Sequence, residues 1–447
     1  MDSLNYYEYL IQHLSDLQEL IRIPSVYDAE SVSETAPFGI FSLRALKKME
    51  SLLLREGYDV REYGHKAVSG SFGKGSERID IASHLDVVSV SSGWKKDPFS
   101  GEVDGEYLYG RGAQDMKTSA YLVYLACNLI RESGRDVNRE IRLVYGSDEE
   151  RTMEDMKYYY SCVTPPAFAF TPDGDFPLCI GEKGALMWTL DKKYTGRVLE
   201  LQCGTQCNIV PDRAEALLER IDAEQIRQTV KAEGMDAEVR EENGQIRLIV
   251  HGKSTHASRP SGGHSATSDL LKLIAALCGE EEFVSLSRAF ADPYGSGANC
   301  AITTEEMGEL TLNLGVLNLE NGVLRGQIDC RYPLGITSSE LTERMRKALP
   351  HFEVKLPYDD PPTWNAPDDP YIKALAEAYE EVRGEEATMF VSGGVSYSKV
   401  FGHCVSFGPV FPKEERLFHE KDERISLKSA AQALEIYHKA ILKLLEV

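Results

Sequence analysis

Arg78-Ile79-Asp80-Ile81-Ala82-Ser83 runs directly into His84-Leu85-Asp86. The first six residues read as a strand, so His84 falls at its carboxyl end, where open α/β sheets place their ligands. Two further runs have the same form. Ile141-Arg142-Leu143-Val144-Tyr145 leads into Gly146-Ser147-Asp148-Glu149-Glu150, and Phe168-Ala169-Phe170-Thr171 leads into Pro172-Asp173-Gly174-Asp175. Amphipathic or apolar spacing predicts helices over 4–21, 40–56, 117–133 and 153–161. Strands alternating with helices predict an α/β sheet with parallel segments.

Beyond Gly184 the pattern changes. Asn243-Gly244 and Asn321-Gly322 each lie between β-rich arms, as type I′ hairpin turns do. Each hairpin leads through a loop to a helical stretch, at 264–278 and 338–349, which suggests two related α+β units. Residues 357–370, rich in Pro and Asp, read as a linker. Helix 370–383, the apolar stretch 387–391, strand 403–408 and helix 426–445 then restore α/β patterning. The simplest plan is one domain built from residues 1–183 and 366–447, with residues 184–365 inserted as a second.

The chain has 447 residues, enough to bury a full core in each domain. Its 49 Lys+Arg against 71 Asp+Glu leave a net charge of −22, which argues against nucleic acid or an anionic membrane as partner. The nine Cys are scattered with no Cys-x-x-Cys pair, as expected of idle thiols in a reducing compartment. Met1-Asp2-Ser3 starts no basic-then-apolar leader, and no apolar run reaches about 18 residues. A cytoplasmic location is expected.

Three strands thus deliver acidic or imidazole groups to one sheet edge. The turn Gly110-Arg111-Gly112-Ala113-Gln114-Asp115 delivers another carboxylate, and Phe418-His419-Glu420 supplies an imidazole far downstream. Alone, each has a plainer reading, such as a helix N-cap at Asp115 or an ordinary Pro-Asp-Gly turn at Asp173. Together they form the carboxylate and imidazole mixture that divalent metals take. Two ions about 3.5–4 Å apart, bridged by one carboxylate, would account for so many converging acids. Asp86, two residues beyond His84, is expected to reach back and orient its ring. Other signatures fail. His419-Glu420-Lys421-Asp422-Glu423 carries Glu where a zincin helix needs its second His, and no Gly-x-Ser-x-Gly elbow occurs. Gly252-Lys253-Ser254 lacks the upstream Gly of a phosphate loop.

The runs His84-Leu85-Asp86-Val87-Val88, Asp97-Pro98-Phe99, Tyr109-Gly110-Arg111-Gly112, Asp115-Met116-Lys117, Asp148-Glu149-Glu150 and Thr171-Pro172-Asp173 resemble the co-catalytic metallopeptidases. That family includes acetylornithine deacetylase, succinyl-diaminopimelate desuccinylase, aminoacylase and carnosinase-like dipeptidases. Asp173-Gly174-Asp175-Phe176-Pro177, Asn208-Ile209-Val210-Pro211, Gly252-Lys253-Ser254-Thr255-His256 and Arg331-Tyr332-Pro333 are similar to its bacterial dipeptidase V branch.

The resemblance implies a catalytic domain of phosphorylase/hydrolase-like type, its mixed, largely parallel sheet flanked by helices. An inserted α+β lid with ferredoxin-like units would accompany it. It implies two divalent ions, zinc first, with manganese or cobalt as alternatives. His84 and Asp173 would hold one ion, Glu150 and His419 the other, and Asp115 would bridge them. Asp86 would orient His84, Glu149 would be the general base and His256 would stabilise the oxyanion. Asn208, Arg331, Gly394 and Ser396 would bind substrate, Arg331 at its carboxylate.

The chain departs from the branch at Gly393-Gly394-Val395-Ser396-Tyr397, where a loop ending in Tyr-Gly-Arg is usual. It departs again at Glu420 and Asp422, where Gln and Asn are usual. The implied reaction is hydrolysis of the amide bond of a dipeptide or short peptide with a free carboxylate. An N-acyl-amino-acid amidohydrolase and a non-catalytic metal- or peptide-binding relative are the alternatives. An insert of this size suits a functional monomer, with a homodimer also open. Lid closure is expected to hinge near 181–185 and 360–367.

Overall fold

The computed structural model describes residues 4–219 and 222–447. The chain folds into two compact units. The first comprises Met1–Gly181, Trp364–Phe390 and Ser396–Val447, and the second Glu182–Thr363 with Val391–Val395.

The first unit is built on a mixed sheet. Seven of its nine strands run in the order Asp59–Tyr63, Ala67–Phe72, Glu140–Gly146, Arg78–His84, Phe168–Thr171, Cys404–Ser406 and Leu178–Glu182. Arg78–His84 pairs in parallel with Glu140–Gly146 and with Phe168–Thr171, which pairs in parallel with Cys404–Ser406. The outer pairings are antiparallel. Every residue of Arg78–His84 is buried, as a central parallel strand covered on both faces requires.

Strand alternation divides the two coverings. Ile79, Ile81, Ile141, Leu143 and Tyr145 join one apolar core with the helices Tyr6–Ile21, Ile40–Arg55, Lys117–Glu132, Pro370–Arg383 and Leu427–Leu444. The intervening Asp80 and Arg142 meet Tyr159 of the helix Glu154–Cys162 through hydrogen bonds. The helix Lys117–Glu132 is buried over nearly its whole length, because the C-terminal helix Leu427–Leu444 packs along it.

The second unit holds a continuous eight-stranded sheet, in the order Ala237–Glu242, Gln245–His251, Arg213–Glu219, Val198–Cys203, Thr311–Glu320, Val323–Tyr332, Gly184–Lys193 and Glu353–Asp360. The two expected hairpin units therefore share one sheet. Both Asn-Gly pairs are the turns expected: Asn243 and Gly244 have φ of 53° and 77°, Asn321 and Gly322 of 52° and 72°. The helices Ala266–Cys278 and Ser338–Ala348 follow the hairpins.

The linker expected over 357–370 is corrected in part. Its first residues end the strand Glu353–Asp360, which pairs with Gly184–Lys193 at the sheet edge. Pro357 is accommodated where the register shifts between Lys355 and Tyr358, on an edge strand that tolerates a residue without an N–H. Among the described residues, no helix is long and apolar enough to cross a membrane.

Candidate metal centre

His84 ends its strand with a fully buried ring. Its Nδ1 lies 3.0 Å from the Asp86 carbonyl, an obligate acceptor, so Nδ1 carries a proton and Nε2 is the nitrogen turned to the cluster. That Nε2 faces Asp115 Oδ1 at 3.2 Å and Asp173 Oδ2 at 3.7 Å. The other oxygen of Asp115, Oδ2, lies 3.1 Å from His419 Nε2, which is also 3.1 Å from Glu150 Oε2. Glu149 groups closely with His84 and Asp173. Of the residues singled out in the sequence, His84, Asp86, Asp115, Glu149, Glu150, Asp173 and His419 all meet at one end of the first unit's sheet.

Asp86 stands beside the His84 ring and has a second set of partners. Its carbonyl is the nearer partner of His84, with the carboxylate at 3.5 Å. The strand ends at His84, so side-chain alternation no longer governs Asp86. Its carboxylate also receives the backbone N–H of Glu149 at 3.2 Å and of Glu150 at 3.0 Å, fixing the acidic turn.

The electrostatics of the cluster follow from burial and crowding. Burial raises the pKa of Glu149 well above the carboxylate range; His84 opposes this, and Asp173, Glu150 and Asp115 add to it. Glu150 is raised by burial and by Asp115. Burial works against charge on Asp115, yet its hydrogen bonds to His419 and His84 hold its pKa down. Burial likewise opposes the charged form of His419, but Asp115 and Glu150 push it up to about 11.

A cation fits this cluster. Ligands about 2.0–2.2 Å from a tetrahedral ion stand about 3.3–3.6 Å apart, close to the spacings of 3.1–3.7 Å here. The nearby side-chain cations are engaged elsewhere, Arg111 with Glu423 at 2.6 Å and Lys117 with the Ile23 carbonyl at 2.6 Å. Converging carboxylates and imidazole nitrogens, with the nearby Arg and Lys engaged elsewhere, are the donor set of a divalent metal.

Two residues given no role from the sequence support the centre. Glu423, fully buried, accepts the N–H groups of Gln114 at 2.7 Å and Asp115 at 3.1 Å. Burial lifts its pKa to about 7, opposed by Arg111 and reinforced by Asp115. Asp155, also buried, accepts Ser147 N at 2.5 Å, Asp148 N at 2.7 Å and the Tyr397 hydroxyl. No local pattern marks either residue, since their partners in the fold include residues far away in the chain.

Asn208, His256, Arg331 and Gly394 belong to the second unit. Ala257 N donates to the Asn208 carbonyl at 2.8 Å, and His256 Nδ1 lies 2.7 Å from Ser258 Oγ. Arg331 donates to Asp329 from Nη2 at 2.7 Å and to the Gly393 carbonyl from Nη1 at 3.1 Å. Ser396 lies in the first unit, buried, with its Oγ 3.2 Å from Ser406 Oγ and accepting Ser398 N at 3.2 Å.

Residues 81–443 match the profile of Peptidase family M20/M25/M40. A Staphylococcus aureus protein provisionally named a dipeptidase is 30% identical over 459 residues, covering 98% of this chain and 98% of its own. Human carnosine dipeptidase 1 superposes with a TM-score of 0.62 at 14% identity, over 99% of this chain and 98% of that one. A metallo-carboxypeptidase of the M20 family from Sulfolobus solfataricus gives 0.62 at 18% identity, over 97% and 99%. At such identities the structural likeness speaks for the fold. The sequence matches go further: the chain belongs to peptidase family M20/M25/M40.

Proposed function

We propose that this protein hydrolyses the amide bond of dipeptides or short peptides with a free carboxylate, in a metal-dependent reaction. The observation that carries this reading is Asp115, whose two oxygens face His84 and His419 from opposite sides while Glu149 stands beside His84 and Asp173. His84 and Asp173 would hold one divalent ion and Glu150 and His419 a second, with Asp115 between them. Bound there, zinc, or alternatively manganese or cobalt, would supply a lowered water pKa and a polarised carbonyl.

Glu149 takes the proton of the attacking water and returns it to the departing amine. Asp86 holds Glu149 and Glu150 by their backbone N–H groups, so base and ligand share one rigid turn. His256 donates to the developing oxyanion. Arg331 binds the substrate carboxylate, its guanidinium held in plane by Asp329. Asn208, Gly394 and Ser396 shape the substrate site. A cytoplasmic monomer is the matching biological form, in accord with nine scattered cysteines that suit a reducing compartment.

The Glu149→Gln variant is expected to retain wild-type metal content by elemental analysis while turnover of a dipeptide falls about 10²–10⁴-fold. Wild-type turnover would reject Glu149 as base. A panel of dipeptides set against N-acetyl and N-succinyl amino acids tests the substrate class. Activity confined to the N-acyl compounds would reject the peptide reading.

A further inference from the structure

We propose that Glu423, paired with Arg111, is the positioning residue that sets the distance between His419 and the bridging Asp115, and thereby the affinity of the centre for its pair of ions. This rests on the two-ion reading above.

The two ligands arrive on loops from opposite ends of the chain, and Glu423 joins them. Its Oε1 receives Gln114 N at 2.7 Å, Asp115 N at 3.1 Å and Gly112 N at 3.1 Å, and its Oε2 receives Arg111 Nη1 at 2.6 Å. In return, Gly110 N donates to the Glu423 carbonyl at 3.0 Å. Arg111 extends the connection, donating from Nη2 to the His419 carbonyl at 3.1 Å. Gln114 closes the far side, accepting Leu417 N at 2.7 Å and donating to the Glu415 carbonyl at 3.0 Å.

His419 has a φ of 64°, in the left-handed region that non-glycine residues enter at a cost, so its loop needs outside contacts to stay there. The Arg111 bond to the His419 carbonyl is one. Glu423 therefore holds the backbone of Asp115 directly and that of His419 through Arg111. Binding geometry is lost when donor groups drift by about 0.5 Å. A glutamine at 423 keeps the size but turns an N–H donor toward other donors and removes the charge that pairs with Arg111.

The test titrates chelator-stripped full-length protein with Mn²⁺ by calorimetry and electron paramagnetic resonance. Wild type is expected to bind two ions and give the exchange-coupled spectrum of a bridged pair. Glu423→Gln should bind the pair about 10–100-fold more weakly and show uncoupled Mn²⁺ at the loading that couples wild type. Arg111→Lys, which keeps a cation beside Glu423 but loses the nitrogen that reaches His419, should weaken the pair in the same direction. It carries the test if Glu423→Gln does not fold. Wild-type affinity and coupling in the folded variants would overturn the proposal. Failure of wild type itself to bind two ions would overturn the two-ion reading instead.

Discussion

His438 is a half-buried imidazole whose Nδ1 accepts the Tyr6 hydroxyl at 2.9 Å. Burial, helped by Lys439, lowers its pKa from 6.5 to about 4. Between those values the unfolded chain takes up a proton that the folded chain refuses. This contribution to stability is therefore intact above pH 6.5 and is lost as pH falls toward about 4. His438→Gln keeps an acceptor for Tyr6 without a titrating group, so its urea midpoint should fall less than that of wild type from pH 7 to pH 5. Equal falls would refute the assignment. Single residues also mark where reading from sequence stops. His84, Asp115, Glu149, Glu150, Asp173 and His419 were legible only as a converging set of acids and imidazoles, since each alone has a plainer reading. Glu423 was visible only as the wrong residue for a zincin helix, since its partners Arg111 and Asp115 lie 312 and 308 positions away. Asp86 was legible as a neighbour of His84 but not in its service to the acidic turn.

Among the elements, the strand Thr311–Glu320 controls the loop that carries Asn208. Asn313 Nδ2 donates to the carbonyls of Cys207 and Ile209, both at 2.9 Å. The strand register shifts between Leu314 and Val316, and a Cβ on the intervening Gly315 would stand 2.1 Å from the Cys207 carbonyl. Strand and loop backbones touch there, so an added methyl group must push the loop away. Gly315→Ala should therefore displace Asn208, raising KM for a dipeptide several-fold while the metal content of the first unit stays at the wild-type level. An unchanged KM would separate this loop from substrate binding. Strong local chemistry made elements such as the Asn-Gly hairpins readable. The strand Glu353–Asp360 was obscured because Pro357 signals a break, and only pairing with a neighbour at the sheet edge overrides it.

For the molecule as a whole, each unit has its own apolar core, one around Tyr121 and Tyr145 and the other around Trp188 and Leu248. All the proposed ligands lie in the first unit. Ions that bind only the folded state stabilise it by about 2.7 kcal/mol at a concentration a hundredfold above Kd. Calorimetry should accordingly resolve two transitions, of which chelation lowers only one; a uniform fall of both would contradict this. The α/β character and the change of pattern after Gly184 could be read from periodicity. The single eight-stranded sheet of the second unit could not, because the pairing of Val198–Cys203 with Thr311–Glu320 joins segments separated by more than a hundred residues. The first unit's divided course also bears on biosynthesis. The helix Leu427–Leu444, which covers Lys117–Glu132, leaves the ribosome only after the whole of Glu182–Thr363 has emerged. At about 5–20 residues per second, the first segment waits tens of seconds with that apolar face uncovered. The intervening unit can close during the delay, so the nascent chain is most exposed to chaperones and proteases before its last helix docks.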